Sequence, residues 1–229
     1  MRRDWERRAR ENARHFVVTE KSHWSDEEFF ESGQIAMRED ILIDLGNICQ
    51  GREPKAMRVL EIGCGAGRVT RAFAGYFGEV WAVDISPEMV RQARRAVEGF
   101  ANVHVLRNNG RDLSVLRPGW WERRRGVRAP EFDFAFSCMV FQHIPSHAII
   151  ESYVRDVHEL LRPGGLFKFQ VQGSSSAVST TGDTWVGATF TEQDARNMAA
   201  RCGFEMRYQS GAGDQYYWLW FFRNQNPRS

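Results

Sequence analysis

The sequence predicts an α/β fold: a mostly parallel seven-stranded sheet with a C-terminal antiparallel hairpin, helices on both faces and a helical cap segment in front. Three observations carry this expectation. From residue 58 onward, short apolar runs alternate with stretches of helical periodicity, the pattern of parallel strands joined by crossover helices. The last two apolar runs are separated by a turn too short for a crossover, so they pair antiparallel at one edge. Residues 1–54 lack the alternation and read as polar helices, ahead of a main domain over 55–229. A chain of 229 residues suits one such domain and buries a substantial core.

Each element follows in order. Arg and Glu alternate over residues 4–14, a solvated helix, and residues 15–19 form a short apolar patch. Ser25 precedes Asp26, Glu27 and Glu28, an N-cap with acids in the first turn, and Trp24, Phe29 and Phe30 cluster around it. Ile41, Leu42, Leu45 and Ile48 fall at helical spacing within 35–48. Residues 58–62 are the first strand. Residues 69–77 are a helix with Val69, Phe73 and Phe77 on one face, and 80–83 the second strand. Ser86 and Pro87 open a helix whose Met89, Val90, Ala93 and Val97 face inward. Residues 103–106 and 132–137 are the third and fourth strands. Ser146 opens a helix buried through Ile150, Tyr153, Val157 and Leu160, which Pro163, Gly164 and Gly165 end. Residues 166–171 are the fifth strand, Thr191 and Gly203 bound another helix, and 204–209 and 216–222 form the hairpin. The polar loop 173–189 is long enough to act as a functional flap.

Composition excludes some classes. Hydrophobic residues make up 42% and charged residues 26%, as in ordinary globular proteins, and the net charge of +2 gives no bulk attraction to nucleic acid or membrane. Cys49, Cys64, Cys138 and Cys202 form no close pair, so no zinc-type spacing occurs, and packed, reduced thiols in a cytoplasmic protein are expected. No apolar run is long enough to span a bilayer, and the Arg-rich N-terminus lacks a signal-peptide core.

The chemistry centres on Val59-Leu60-Glu61-Ile62-Gly63-Cys64-Gly65-Ala66-Gly67, a strand entering a glycine turn and then a helix. The glycines let the backbone turn sharply and approach a ligand beyond the strand ends. The next strand ends at Asp84, an acceptor-only group suited to a ribose diol. A dinucleotide site wants a small residue where Arg68 stands, and Glu61 would repel a diphosphate but suits an ammonium. These residues favour an aminoacyl nucleoside over a nicotinamide dinucleotide.

Glu61 to Gly67 resembles motif I of the class I S-adenosylmethionine-dependent methyltransferases, which are Rossmann-like. Trp81-Ala82-Val83-Asp84-Ile85-Ser86-Pro87 resembles the family's ribose-binding segment, and Asn108-Asn109-Gly110-Arg111-Asp112-Leu113 its adenine-contacting segment. Phe132 to Ser137 with Gln142-His143-Ile144-Pro145 is similar to motif IV, and Leu160-Leu161-Arg162-Pro163-Gly164-Gly165 to the approach to strand five. The resemblance covers roughly 57–172. It implies that Glu61 and the Gly63 and Gly65 backbone hold the methionyl part, Asp84 the ribose, and Ile85 and Asn109 the adenine. Asn109 stands where the family usually has Asp. Ser137, Cys138 and Met139 would line the floor, with Cys64, Arg68, Met89 and Gly110 completing the contacts. It also implies a helical N-terminal cap that excludes water.

A sulfonium methyl needs an in-line nucleophile, desolvation and sometimes a base. His143, after strand four, is the base candidate, because imidazole titrates near neutrality. The alternative is that it caps a helix or packs. His15, His23, His104, His147 and His158 read as structural. Phe16, Trp24, Trp185, Tyr216, Tyr217 and Trp218 are candidates for shaping a partly apolar acceptor pocket. The expectation is methyl transfer from S-adenosylmethionine, giving S-adenosylhomocysteine, to a small O- or N-acceptor, without metal, by a monomer or homodimer. Two rivals remain. Arg123, Arg124, Arg125 and Arg128 after Trp120 and Trp121 could contact RNA, although the balanced charge favours a solvated loop. A non-catalytic cofactor-binding module would retain the same motifs.

Overall fold

The computed structural model describes residues 1–119, 124–173 and 184–225. Trp120, Trp121 and Arg123 of the basic loop lie outside the described residues, as do Ser174, Ser175 and Ser176 of the expected flap. The fold is a seven-stranded sheet, parallel except at its C-terminal strands, with helices around it. Two compact units make it up, Met1–Gly110 and Arg111–Ser229.

The first unit holds α1 (Arg2–Val17), α2 (Asp26–Ala36), α3 (Leu45–Cys49), β1 (Arg58–Ile62), α4 (Arg68–Tyr76), β2 (Glu79–Asp84), α5 (Pro87–Ala96) and β3 (Val103–Arg107). Its strands run parallel in the order β3-β2-β1, with Arg58 opposite Glu79 and Val80 opposite Val103. Parallel strands covered on both faces must be apolar on both, and Val59, Leu60, Val80, Ala82 and Val83 are all fully buried. Ser86 caps α5 by accepting the Met89 N–H at 3.2 Å, and Pro87 takes the first helical position, where a missing N–H costs nothing. Ala93, Val90 and Val97 then pack on Ala82 and Val105.

The leading segment departs from expectation in two places. Helix α1 is not solvated all round: Arg8, Ala9 and Ala13 are buried, because the small residues on one face let α1 lie close against the unit. It also breaks at Asn12. There the backbone is extended, and the Asn12 side chain accepts the His15 N–H at 3.2 Å, so Asn12 caps a second helical stretch from within. Residues 35–48 are not one helix. The α-helix ends at Ala36, and a π-turn, a 3₁₀ turn and the five-residue α3 follow. Ile41 and Ile48 are fully buried as predicted, but Leu42 and Leu45 are only half-buried. The expected cap at Ser25 forms, reciprocally with Glu28.

The second unit holds β4 (Phe132–Ser137), α6 (His147–Leu160), β5 (Leu161–Val171), α7 (Glu192–Cys202), β6 (Phe204–Ser210) and β7 (Tyr217–Arg223). Its strand order is β4-β5-β7-β6, with β4 and β5 parallel and β7 antiparallel to both neighbours. Ile150, Tyr153, Val157 and Leu160 are the buried face of α6, as their spacing predicts. Strand β5 begins five residues earlier than expected. The helix ends at Leu160, before Pro163, Gly164 and Gly165, which instead lie within the strand where its register opposite Phe132 and Phe134 is irregular. In β7, Tyr217, Leu219 and Phe221 are fully buried, while Trp218 and Trp220 are half-buried under the Lys168 ammonium. Among the described residues, no helix is long and apolar enough to cross a membrane.

Gly67 and Gly99 give a paired test of backbone strain against contact. Both are left-handed, at φ 88° and 92°, but a Cβ on Gly67 would lie 2.9 Å from the Ala93 Cα, whereas one on Gly99 meets open space. Gly99→Ala is expected to cost about 1 kcal/mol from backbone strain alone. Gly67→Ala should cost roughly 2–4 kcal/mol, because overpacking adds to the strain. Urea denaturation of the two variants measures the difference.

Candidate active site

At the carboxyl ends of β1 and β2, the backbone and two carboxylates build a concentrated polar site. Gly63 and Cys64 donate their N–H groups to the Val83 carbonyl at 2.7 and 3.0 Å, which folds the glycine turn back onto β2. Asp84 closes the same loop from its side chain. It accepts the Gly65 N–H at 2.9 Å on one oxygen and the Ser86 N–H at 2.8 Å on the other. A carboxylate offers about four lone-pair sites, so with backbone donors from Gly65, Ile85 and Ser86 it retains acceptor capacity toward a further hydroxyl. Gly65 is left-handed at φ 52°, and a Cβ there would come within 2.7 Å of Val17.

Burial dominates the acidity of both carboxyls. Desolvation pushes Asp84 up to about 6, against the backbone hydrogen bonds that favour its charge, while the neighbouring Glu6 pushes it further up. Glu61 is buried and receives the Thr70 hydroxyl at 2.6 Å, but desolvation still raises it to about 7. A buried carboxyl poised near neutrality suits a cationic partner, whose charge would replace the lost hydration.

The other cofactor candidates of this unit divide by what their side chains do. Ile85 is half-buried, and its Cδ1 packs against Gly110, where no Cβ could fit. The Met89 side chain belongs to the apolar cluster with Ala9, Ala13, Phe29 and Ala66. The Cys64 thiol is likewise core, beside Ala82, Val90 and Ala93, so only its backbone faces the loop. Arg68 extends to α2, where its guanidinium donates to the Ser32 carbonyl at 2.8 Å. Asn109 is exposed beside buried Asn108, whose N–H donates to the Asp84 carbonyl at 2.9 Å.

Sequence reasoning missed the residues of α1 that reach these strand ends. Glu6 accepts the Ser86 hydroxyl at 2.7 Å and the Glu88 N–H at 3.1 Å, placing its carboxylate on the N-terminus of α5. These bonds hold the Glu6 carboxyl below its usual value although burial opposes them. Met1 packs near Gly110 and Val17 near Gly65, so α1 runs from the Ile85 side of the site to the glycine turn. The signal was present only as a run of charge, which reads first as a solvated face.

In the second unit, Ser137 is fully buried at the end of β4, and Met139 is exposed with a left-handed backbone at φ 57°. Gln170 holds that turn by accepting the Met139 N–H at 2.9 Å. Cys138 is half-buried, not packed away as expected, because it points along this turn toward Gln170. His143 is buried, and both ring nitrogens face polar groups: Nδ1 lies 2.6 Å from the Trp185 carbonyl and Nε2 lies 3.3 Å from the Gln142 amide nitrogen. A carbonyl accepts only, so Nδ1 carries the proton and Nε2 presents its lone pair, the tautomer a general base requires. Trp218 and Phe136 stack at 6.0 Å, and Trp24 donates to the Val18 carbonyl, both structural contacts. Among the described residues, no three His, Cys, Asp or Glu side chains gather as a metal site.

Residues 59–165 match a family described as a methyltransferase domain. A ubiquinone biosynthesis O-methyltransferase of Xanthomonas campestris pv. campestris is 34% identical over 110 residues, which is 47% of this chain and 40% of that protein. A second, from Xanthomonas axonopodis pv. citri, is 32% identical over 115 residues, 49% of this chain and 42% of that protein. The chain thus matches less than half the length of these curated relatives. Among solved structures, magnesium protoporphyrin IX methyltransferase from Synechocystis PCC 6803 with bound SAH superposes with a TM-score of 0.65 at 15% identity, over 97% of this chain and 98% of that one. The N-methyltransferase NodS from Bradyrhizobium japonicum WM9 gives 0.58 at 17% identity, over 88% and 100%. These structural likenesses concern the fold.

The raised acidity of Glu61 has a signed consequence for stability. Its folded value, about 7, exceeds the ordinary 4.5, so the folded state holds this proton more tightly than the unfolded chain does. The stability this contributes is full below pH 4.5 and is lost as pH rises through 7. Glu61→Gln should therefore gain stability relative to wild type between pH 5 and pH 8, by roughly 1–3 kcal/mol. Urea denaturation of both proteins at the two pH values measures it.

Proposed function

We propose that this chain, whose residues 59–165 match a methyltransferase domain family, is a class I S-adenosylmethionine-dependent methyltransferase that transfers a methyl group to the hydroxyl of a small organic acceptor. The observation that carries the reading is the pair of buried carboxyls around the glycine turn, Glu61 near neutrality and Asp84 bonded to Gly65. They match the two polar ends of the cofactor. Glu61 would face the ammonium, Asp84 the ribose hydroxyls, and Ile85 and Gly110 the adenine. Gly63 and Gly65 would bring the backbone close, and α1 would exclude water. When bound, the cofactor supplies an electrophilic methyl on a sulfonium whose departure leaves a neutral thioether.

His143 supports the choice of oxygen. Its Nδ1–H is held by the Trp185 carbonyl, so Nε2 is ready to take a proton. An acceptor hydroxyl would replace the long 3.3 Å contact from Gln142 and pass its proton to Nε2 as its oxygen gains the methyl. The imidazolium then returns the proton to water. The names of the Xanthomonas relatives, both O-methyltransferases, support the same choice.

Two measurements test this reading. Calorimetric titration with S-adenosylmethionine and S-adenosylhomocysteine should give micromolar binding. Asp84→Ala should weaken it about tenfold to a hundredfold, the worth of hydrogen bonds to a charged acceptor. Normal binding by that variant, or none by folded wild type, overturns the assignment. In turnover with a hydroxyl acceptor, His143→Gln should lower kcat by roughly 10²–10⁴ while cofactor affinity stays unchanged.

A further inference from the structure

Asp84 accepts from Ser86 on Oδ1 and from Gly65 on Oδ2, and α1 touches both of those residues. We infer that Glu6 is a positioning residue for Asp84, so that docking of α1 and binding of the cofactor's adenosine part are one coupled equilibrium. This rests on the reading of Asp84 as the acid that holds the ribose, and adds to it a residue from outside the motifs.

Glu6 acts through Ser86. Its Oε2 accepts the Ser86 hydroxyl at 2.7 Å and the Glu88 N–H at 3.1 Å, while the Ser86 N–H holds Asp84 Oδ1 at 2.8 Å. Capping of α5 does not require Glu6. Ser86 Oγ already accepts the Met89 N–H, and Pro87 has no N–H to satisfy. The single proton of the Ser86 hydroxyl is committed to Glu6, so the carboxylate fixes Ser86 relative to α1. Val17 does the same at Gly65. A Cβ on Gly65 would come within 2.7 Å of Val17, so the valine packs directly on the backbone whose N–H reaches Asp84 Oδ2 at 2.9 Å. The break at Asn12 places the two contacts on different stretches of α1, and the Asn12 amide is tied to the Ser22 carbonyl at 2.7 Å. Between them, Ala9 and Ala13 pack with Ala66 and Met89.

The charges around Glu6 set the sign of the coupling. Arg10 pairs with Glu6 Oε1 at 2.8 Å, but its side chain is 74% exposed, so the pair contributes little. Glu88 turns its own carboxylate to Arg91. Asp84 faces Glu6 and also Glu61, whose charge Arg68 partly offsets. Glu6 and Asp84 repel each other, and docked α1 bears that repulsion when nothing else donates to Asp84. A diol that donates to Asp84 spreads its charge and relieves the repulsion. Ligand and helix therefore favour each other.

Calorimetry with S-adenosylhomocysteine and amide hydrogen exchange over residues 2–17 test this on the full chain. Glu6→Ala removes both bonds to α5, whereas Glu6→Gln keeps an oxygen to accept them. We expect Glu6→Ala to bind S-adenosylhomocysteine roughly tenfold more weakly, and Glu6→Gln to bind it within about threefold of wild type. Saturating ligand should slow exchange in α1 of wild type roughly tenfold and in Glu6→Ala far less, since linkage is reciprocal. In a double-mutant cycle, Glu6→Ala should add less than about threefold to the loss caused by Asp84→Ala, because its effect passes through that carboxylate. A purely structural role would add its full factor. Equal affinity in wild type and Glu6→Ala, or full additivity with Asp84→Ala, overturns the inference and leaves the cofactor reading standing. So does α1 exchange in wild type that saturating ligand does not slow, a result that holds even where Glu6→Ala fails to fold. Failure of the underlying reading shows differently. Folded wild type then binds no S-adenosylhomocysteine, or Asp84→Ala binds it as wild type does, and the inference falls with it.

Discussion

The structure around the site depends on one carboxylate at the end of one strand. Asp84 accepts N–H groups from Gly65 and Ser86, and so ties the glycine turn after β1 to the start of α5. The Val83 carbonyl beside it accepts from Gly63 and Cys64 and closes the same turn from the backbone. Burying an ionised carboxyl is unfavourable, and these bonds only partly offset the desolvation, which is why Asp84 stays raised.

Helix α1 extends that organisation outward. It reaches the site through Glu6 at the N-terminus of α5, Val17 at Gly65 and Met1 at Gly110. Small residues, Ala9 and Ala13, allow the close approach, and Asn12 re-caps the helix where it bends. Glu6 also raises Asp84, so α1 and the carboxyl at the end of β2 are linked electrostatically as well as by packing.

The second unit uses a different device, a strained turn held by amides. Met139 adopts a left-handed backbone that a long side chain does not favour, and Gln170 compensates by accepting its N–H. Three residues later the Gln142–Ile144 segment is strapped by Gly187 and Ala188, which fixes the His143 tautomer through the Trp185 carbonyl. His143 and the Met139 turn are thus organised by hydrogen bonds between segments far apart in sequence.

What the sequence determined by itself follows from local rules. Parallel strands buried on both faces must be apolar runs, so β1, β2 and β4 were legible, and β3, at the sheet edge, showed as a short alternating run. Ser25, Ser86, Ser146, Thr191 and Gly203 marked helix ends because capping needs those residue types. The glycine turn was legible because a sharp strand-to-helix turn restricts the residues that serve. Tertiary structure decided the rest. Residues 35–48 have helical spacing yet break into short turns, since packing overrode the propensity of that segment. The charged face of α1 gave no sign that Glu6 would sit on α5, eighty residues away in the chain. Nor could the spacing of Gln142, His143 and Trp185 show which imidazole nitrogen keeps its proton. That depends on a carbonyl forty-two residues downstream, and only the folded chain brings it within 2.6 Å.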